Sequence, residues 1–268
     1  MINKKLYDEE FIREAKRKYT EATPFKFLII DEFLDASAAN QLSKYFPSLA
    51  KMNVNYNGLN EKKTEHSSFS ELNNYFTQLK EKFFQQSFVN LIQKITGLEK
   101  LHLINDRYGY GLHQGGKGSF LDIHIDYNLH PVEKKQRRLN LLLFLSHKWE
   151  DTWGGDLQFW NQDVTNCMRS IKPVFNRCVI FECNEISYHG YNKITCPDNI
   201  TRKSFYLYFF SSPTVKLSFH DTVFKPKPND SKLKKFKVKL KEVIKNQIKR
   251  TLYNLRSGGI INKMLASP

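Results

Sequence analysis

Residues 120–127, Phe-Leu-Asp-Ile-His-Ile-Asp-Tyr, place the tightest local constraint on this chain. Apolar Phe120, Leu121, Ile123 and Ile125 stand among polar residues, a strand pattern. Side chains two apart in a strand share a face. His124 and Asp126 then point the same way, with Ile125 on the other side. An imidazole beside a carboxylate supplies two ligands of a 2-His-1-carboxylate triad, which leaves positions open on Fe(II). A metal-free surface His-x-Asp pair has the same spacing. The metal reading therefore requires a second histidine and a co-substrate anchor elsewhere in the chain.

The 268 residues allow one large domain with an ample core, and a 14% aromatic content favours a globular chain over a disordered one. No run approaches 18 apolar residues, so no membrane-spanning helix is expected. The opening residues lead into Tyr7-Asp8-Glu9-Glu10 rather than an apolar leader. Cys167, Cys178, Cys183 and Cys196 form no C-x-x-C pair. They read as reduced thiols of a cytoplasmic protein, not as a disulfide frame or zinc site. The net charge of +15 favours anionic partners and is unevenly spread. Between Thr214 and Pro268 there are 14 Lys and Arg residues against Asp221, Asp230 and Glu242.

Residues 1–100 read as a strand with supporting helices, part of the same domain as the β-rich segment after them. Leu6, Phe11, Ile12, Ala15 and Tyr19 recur at helical spacing over residues 5–22, and Pro24 stops the run. Residues 25–30 read as a strand, and Asp35 is placed to cap the next helix. Residues 48–68 are polar and read as a loop, either part of a substrate lid or a surface excursion. Two apolar helical stripes occupy residues 70–96, and Gly97 is a natural C-cap. From residue 101 to 213 the texture changes to short strands and glycine-rich turns, as in an all-β barrel or double sheet. Strands are expected at 101–104, 108–114, 119–126, 138–146, 156–160, 177–183 and 203–210, with a hairpin turn at 115–118. Residues 214–268 read as a basic linker and a C-terminal amphipathic helix.

Within the β-rich segment, residues 138–145 are apolar enough for a strand buried on both faces, interrupted by Asn140. A buried amide needs partners. Asn140 either bonds a neighbouring turn or faces a cavity and meets a bound polar co-substrate. His189, beside Gly190, sits where a third ligand at a strand entrance belongs. A hydrogen-bonded structural histidine is the plainer reading of His189 taken alone. Arg202 and Ser204 then share a strand face, and an arginine at the mouth of an apolar strand can clamp a carboxylate. A surface Arg-Lys pair is the alternative.

Jointly these segments resemble the Fe(II)/2-oxoglutarate-dependent dioxygenases, and among them the prolyl 4-hydroxylase-like branch with its bacterial and phage predicted hydroxylases. The resemblance runs over roughly residues 20–215. It is carried by Gly111-Leu112-His113-Gln114, residues 120–126, Arg137-Arg138-Leu139-Asn140-Leu141, residues 153–160, Ser187-Tyr188-His189-Gly190, Cys196-Pro197 and Arg202-Lys203-Ser204. It implies an α+β, mainly β fold: a double-stranded β-helix (jelly-roll, cupin-like) core, with N-terminal helices packed on one sheet and a basic C-terminal helix. It implies Fe(II) on His124, Asp126 and His189, and 2-oxoglutarate anchored by Arg202 with Ser204. O2 is the oxidant and ascorbate an auxiliary reductant. The implied reaction hydroxylates an unactivated C–H bond and releases succinate and CO2, with no catalytic side chain beyond the metal centre. Phe144 departs from the branch, which often has a tyrosine there to help hold the co-substrate. Asn140, His113 or Gln114 are the candidates to replace its hydroxyl.

Small-molecule, sugar, lipid-linked and peptidyl substrates are all compatible with these residues. A barrel-derived metal- or nucleic-acid-binding module without turnover is the rival function. In the tail, Leu240, Ile244, Ile248, Leu252 and Leu255 form one helical stripe among lysines over residues 232–256. The stripe either docks on the protein's own helical layer or meets an anionic surface. Few aromatics accompany it, which favours lipid over nucleic acid and a membrane-peripheral location.

Overall fold

The computed structural model describes residues 1–68 and 72–257. A short 3-10 turn leads into α1 (Glu9–Glu21), then β1 (Phe27–Ile30) and α2 (Ala36–Lys44). The hairpin β2 (Val54–Asn57) and β3 (Glu61–His66) precedes α3 (Asn74–Phe83) and α4 (Gln86–Thr96). The β-rich part holds β4 (His102–Leu103), β5 (Tyr110–Gly115), β6 (Phe120–Ile125), β7 (Gln136–Phe144) and β8 (Leu157–Trp160). It continues through β9 (Cys167–Ile171), β10 (Cys178–Glu182), β11 (His189–Tyr191) and β12 (Arg202–Ser211). A short β13 (Val223–Phe224) leads to α5 (Lys232–Ser257). Residues 258–268 lie outside the described residues.

These strands make one curled antiparallel sheet in the order β1-β10-β7-β12-β5-β3-β6-β11-β8-β9. It is a double-stranded β-helix with helices on one side. The expected continuous strand is β7, paired on both edges by β10 and β12. Its parity sorts the core. Leu139, Leu141 and Leu143 join Phe205, Leu207 and Phe209 of β12 in a layer against Phe76, Phe83, Phe88 and Ile92 of the helices. The opposite face of the same strands, including Phe144, Val179 and Phe181, looks into the barrel with Phe159 and Leu157. Gly97 closes α4 in the left-handed region, at φ 71°, where glycine carries no Cβ penalty. Asp35 precedes α2 but makes no cap bond. Its carboxylate takes the N-terminal ammonium at 2.8 Å instead.

Three features differ from the sequence expectation. The polar stretch read as a loop is the β2–β3 hairpin, and β3 inserts between β5 and β6, which a simple hairpin at 115–118 would have paired together. The exposed strand β9 and the three-residue β11 have no counterpart among the expected strands. The tail helix α5 lies across the barrel rim rather than on the helical layer. Glu242, buried on α5, accepts Phe224 N of β13 at 3.1 Å, and Asn246 accepts Asp221 N at 3.0 Å. Tyr253 stacks on Phe219 with centroids 4.3 Å apart, and Lys234 reaches Asp122 at 2.8 Å. The docked side is therefore Val238, Glu242, Lys245, Asn246 and Tyr253; of the apolar stripe, Leu240, Ile244 and Ile248 face away, whereas Leu252 lines the cavity beside Tyr253. Leu233 (63% exposed), Phe236 (65%), Val243 (58%) and Ile248 (55%) mark that outer side, with Leu240 and Ile244 about half exposed. The rim offers polar backbone and ring partners, so a polar helix face docks there. No helix among the described residues is long and apolar enough to cross a membrane, and all four cysteines are free thiols.

Candidate metal centre and co-substrate pocket

His124 on β6 and His189 on β11 are directly opposite in the antiparallel pair, so their side chains leave the sheet on one side. Asp126 comes two residues after His124 on that side. The possible ligand atoms of all three lie within 4.8 Å of one another. His124 Nε2 is 3.7 Å from Asp126 Oδ1, and His189 Nε2 is 3.4 Å from Asp126 Oδ2. Each ring bonds a backbone carbonyl through Nδ1, that of Asp122 for His124 and that of Ser187 for His189, both at 2.9 Å. A carbonyl only accepts, so Nδ1 carries the proton and Nε2 turns its lone pair toward the carboxylate. Burial, with His124 beside it, pushes the His189 imidazole down to about 3, which keeps it in the neutral, ligating form.

Gly190 makes the close pairing possible. A Cβ there would lie 2.6 Å from Leu121 O and 2.9 Å from Asp122 O, so only glycine lets β11 approach β6 at this point. Asp126 is held from behind. Asn140 donates to its Oδ2 at 2.7 Å, and Arg137 reaches the same oxygen at 3.2 Å. Arg137 also donates to Asn140 Oδ1 at 2.8 Å and lies 3.3 Å from the Tyr208 ring centroid. Burial alone would raise the Asp126 carboxyl; the Arg137 guanidinium, the largest opposing influence, outweighs it and holds it well below the ordinary value.

Arg202 and Ser204 share the inward face of β12 with Tyr206 and Tyr208. Arg202 is buried, donates through Nε to Gly155 O at 2.7 Å, and rests between the Phe144 and Tyr191 rings at 4.8 and 4.7 Å. Among the described residues no carboxylate pairs with it. Burial lowers its pKa from the ordinary value, the mark of a cation that lacks a full counter-charge. Ser204 Oγ is buried and finds no hydrogen-bond partner. An orphaned hydroxyl beside a buried, unpaired guanidinium fits a carboxylate guest. The His-Asp-His donor set fits Fe(II).

The other expected co-substrate residues land differently. Asn140 faces inward, but its amide is spent on Asp126 and Arg137. Gln114 is opposite Lys203 in the β5–β12 pair, on the face away from Ser204 and His113, and its amide donates to Thr201 at 2.9 Å. The structure does not bring Gln114 to the site. His113 does face inward, stacked on Tyr206 at 4.3 Å and 3.6 Å from Glu65. Glu65 of the β3 hairpin also accepts from the Tyr206 and Tyr56 hydroxyls. These side chains line a cavity of about 480 Å³ together with His124, Asp126 and, from α5, Lys241, Lys245 and Lys249.

Sequence reasoning missed Arg137, Glu65 and Tyr191. The parity of Tyr191 with His189 and of Tyr206 with Arg202 was available as a signal. Nothing in the sequence marked Glu65, which sits in a stretch polar on both faces.

Residues 110–210 match the family model of the 2OG-Fe(II) oxygenase superfamily. No curated protein matches the chain. In fold the chain is similar to a Pseudomonas putida prolyl-4-hydroxylase (15% identity, TM-score 0.53, covering 74% of this chain and 99% of that one). It is similar also to a Trichoplax adhaerens prolyl hydroxylase solved with a hypoxia inducible factor peptide (19% identity, TM-score 0.53, 76% and 94%). A third similar structure is the non-heme alpha ketoglutarate dependent epimerase of nogalamycin biosynthesis (11% identity, TM-score 0.53, 84% and 100%). At these identities the likeness is one of fold.

Proposed function

We infer the reaction of this chain from the superfamily to which its residues 110–210 belong, the 2OG-Fe(II) oxygenases: hydroxylation of an unactivated C–H bond with release of succinate and CO2. The observation that carries this is the meeting of the His124-Asp126-His189 donor set with a buried, unpaired Arg202 and the orphaned Ser204 hydroxyl. His124, Asp126 and His189 would hold Fe(II). Arg202 and Ser204 would take the distal carboxylate of 2-oxoglutarate. When bound, the metal and co-substrate supply the oxidising chemistry with O2.

The chain's own work is to orient and to exclude. The Asp122 and Ser187 carbonyls fix both imidazole tautomers. Arg137 and Asn140 keep Asp126 ionised and aimed. Phe144 and Tyr191 flank the guanidinium and dry its surroundings, and a low-dielectric site strengthens its grip on a carboxylate. Tyr191, buried and on the His189 face of β11, places a phenol beside Arg202. It supplies the hydroxyl that Phe144 lacks. No side-chain acid or base is needed. Fold alone does not choose hydroxylation over another outcome, as the epimerase neighbour illustrates. The test is full-length protein given Fe(II), ascorbate, 2-oxoglutarate and cell extract. A product heavier by one oxygen, formed with equimolar succinate, is expected. Succinate formed alongside a product of unchanged mass would overturn hydroxylation.

The outer face of α5 we assign to an anionic lipid surface. Leu233, Phe236, Leu240, Val243, Ile244 and Ile248 present one unpartnered apolar side. Lys237, Lys239 and Arg250 flank it, and that positive fringe repels a second copy of the chain while attracting acidic headgroups. Full-length protein should sediment with phosphatidylglycerol vesicles at low salt, and Phe236→Asp/Ile244→Asp should abolish this while preserving fold. Failure of the parent protein to sediment, or equal sedimentation of the variant, contradicts the assignment.

A further inference from the structure

The inner face of α5 presents a second, independent set of groups. Lys241, Lys245 and Lys249 recur at successive turns and line the same cavity as His124 and Asp126. Lys245 is committed: its ammonium bonds Glu242 at 2.7 Å and the Thr222 carbonyl. Lys241 and Lys249 have no carboxylate partner among the described residues. Arg107, in the wall of the same cavity, has none either. Its guanidinium bonds the Tyr108 hydroxyl at 2.7 Å and lies over that ring at 4.8 Å, which holds it in place without neutralising it. The other cations of the wall are balanced: Lys63 lies 3.6 Å from Glu61, and Arg137 pairs with Asp126. Three cations without an ion pair therefore line the cavity that leads to the metal ligands, against Glu65 and Asp221 in the same wall, which leaves the lining with a positive surplus.

We propose that this rim is a substrate subsite for a phosphate-class anion, and that the substrate of the enzyme carries such a group at a distance from the carbon that reacts. The proposal rests on the oxygenase reading of the metal centre and names the substrate class for it. Lys241 and Lys249 are two helical turns apart, about 12 Å along the axis at ~1.5 Å per residue. That span suits an extended anion such as a diphosphate or a phosphodiester better than a single carboxylate. Lysine serves as a mobile point charge for phosphate, and Arg107 adds a planar fork. A cleft with one surplus sign of charge also concentrates substrate of the other sign. The anion would hold the substrate at the rim while its uncharged part reaches past Tyr206 and Tyr208 toward His124. A free phosphorylated metabolite and a phospholipid-linked one share this chemistry.

The probe is inorganic pyrophosphate, titrated calorimetrically into the metal-free full-length chain, so that binding does not depend on iron. Lys241→Gln/Lys249→Gln should weaken pyrophosphate binding at least tenfold. Lys239→Gln/Arg250→Gln removes the same charge from the side of α5 away from the cavity, and should bind as the parent does. Equal weakening in both pairs would reduce the effect to net charge and overturn the subsite, as would a parent that binds no pyrophosphate. Succinate release from Fe(II) and 2-oxoglutarate is measured on the parent in parallel, as a separate reading of the metal centre. If the parent forms no succinate even when cell extract supplies substrate, the oxygenase reading fails and the subsite is judged on pyrophosphate alone. The sources separate by competition: pyrophosphate displaced by short-chain phosphatidic acid in micelles but not by free sugar phosphates selects the lipid-linked class, and the reverse selects the soluble one. Displacement by neither overturns the substrate assignment.

Discussion

His124 and His189 meet across β6 and β11, ring centroids 4.3 Å apart and planes tilted by 48°, because Gly190 lets the two strands close on each other. Replacing Gly190 with alanine sets a methyl against the Leu121 and Asp122 carbonyls, which belong to backbone and cannot rotate away. Overpacking of this kind costs about 1–3 kcal/mol. Gly190→Ala should lower the urea midpoint and weaken iron binding together. A variant as stable as the parent with unchanged iron affinity would show that β11 has room to move.

Asp126 neutralises a buried arginine. Removing the carboxylate leaves Arg137 charged and unpaired, a loss of ~3–5 kcal/mol for a buried pair broken on one side. Asp126→Ala should therefore destabilise the metal-free chain as well as abolish iron binding, whereas His124→Ala should abolish iron binding at smaller cost. Asp126→Ala/Arg137→Met should regain much of the lost stability without regaining iron. Equal urea midpoints for His124→Ala and Asp126→Ala would mean the ion pair contributes little.

Ser204 and Arg202 should respond in the same direction but to different degrees. The Ser204 hydroxyl is buried without a partner, so Ser204→Ala should leave the free chain as stable or more so. The same change should raise the 2-oxoglutarate KM several-fold. Tyr191→Phe should do likewise. Arg202→Ala should raise it far more, by ~2–5 kcal/mol in binding free energy, with iron content intact. If Ser204→Ala lowers stability and leaves the KM unchanged, its hydroxyl is structural.

Glu65 gives a pH signature. Burial alone would raise its carboxyl; His113, Lys63 and the Tyr206 hydroxyl outweigh that and hold it at about 2, against an ordinary 4.5. A folded-state value below the unfolded one stabilises the fold above the unfolded value and is lost as pH falls through the folded one. Metal-free parent protein should lose stability between about pH 4.5 and 2 more steeply than Glu65→Gln. Parallel urea midpoints for the two across that range would contradict this.

The strands decide how far the site was legible. His124 and Asp126 could be read because parity within one strand needs no partner. Residues 138–145 could be read because a strand buried on both faces has an unbroken apolar run. Gln114 was misplaced because parity says only that it opposes His113. Which of the two looks inward is settled by the pairing of Ser204 with His113. The β2–β3 hairpin was hidden because one face meets solvent and the other a polar cavity, so no apolar alternation marks it. The α5 stripe was legible as a stripe. Its outward direction depends on Glu242 and Asn246 finding backbone donors at the rim, contacts far away in sequence.

The central claim is that His124, Asp126 and His189 form an iron site coupled to 2-oxoglutarate. Anaerobic equilibrium dialysis of full-length protein with Fe(II), and then titration of 2-oxoglutarate, measures it most directly. One Fe(II) per chain is predicted, with tight 2-oxoglutarate binding only when the metal is present, and with His124→Ala and Asp126→Ala retaining no iron. A parent that binds no Fe(II), or a His124→Ala variant that binds it as the parent does, would contradict the claim.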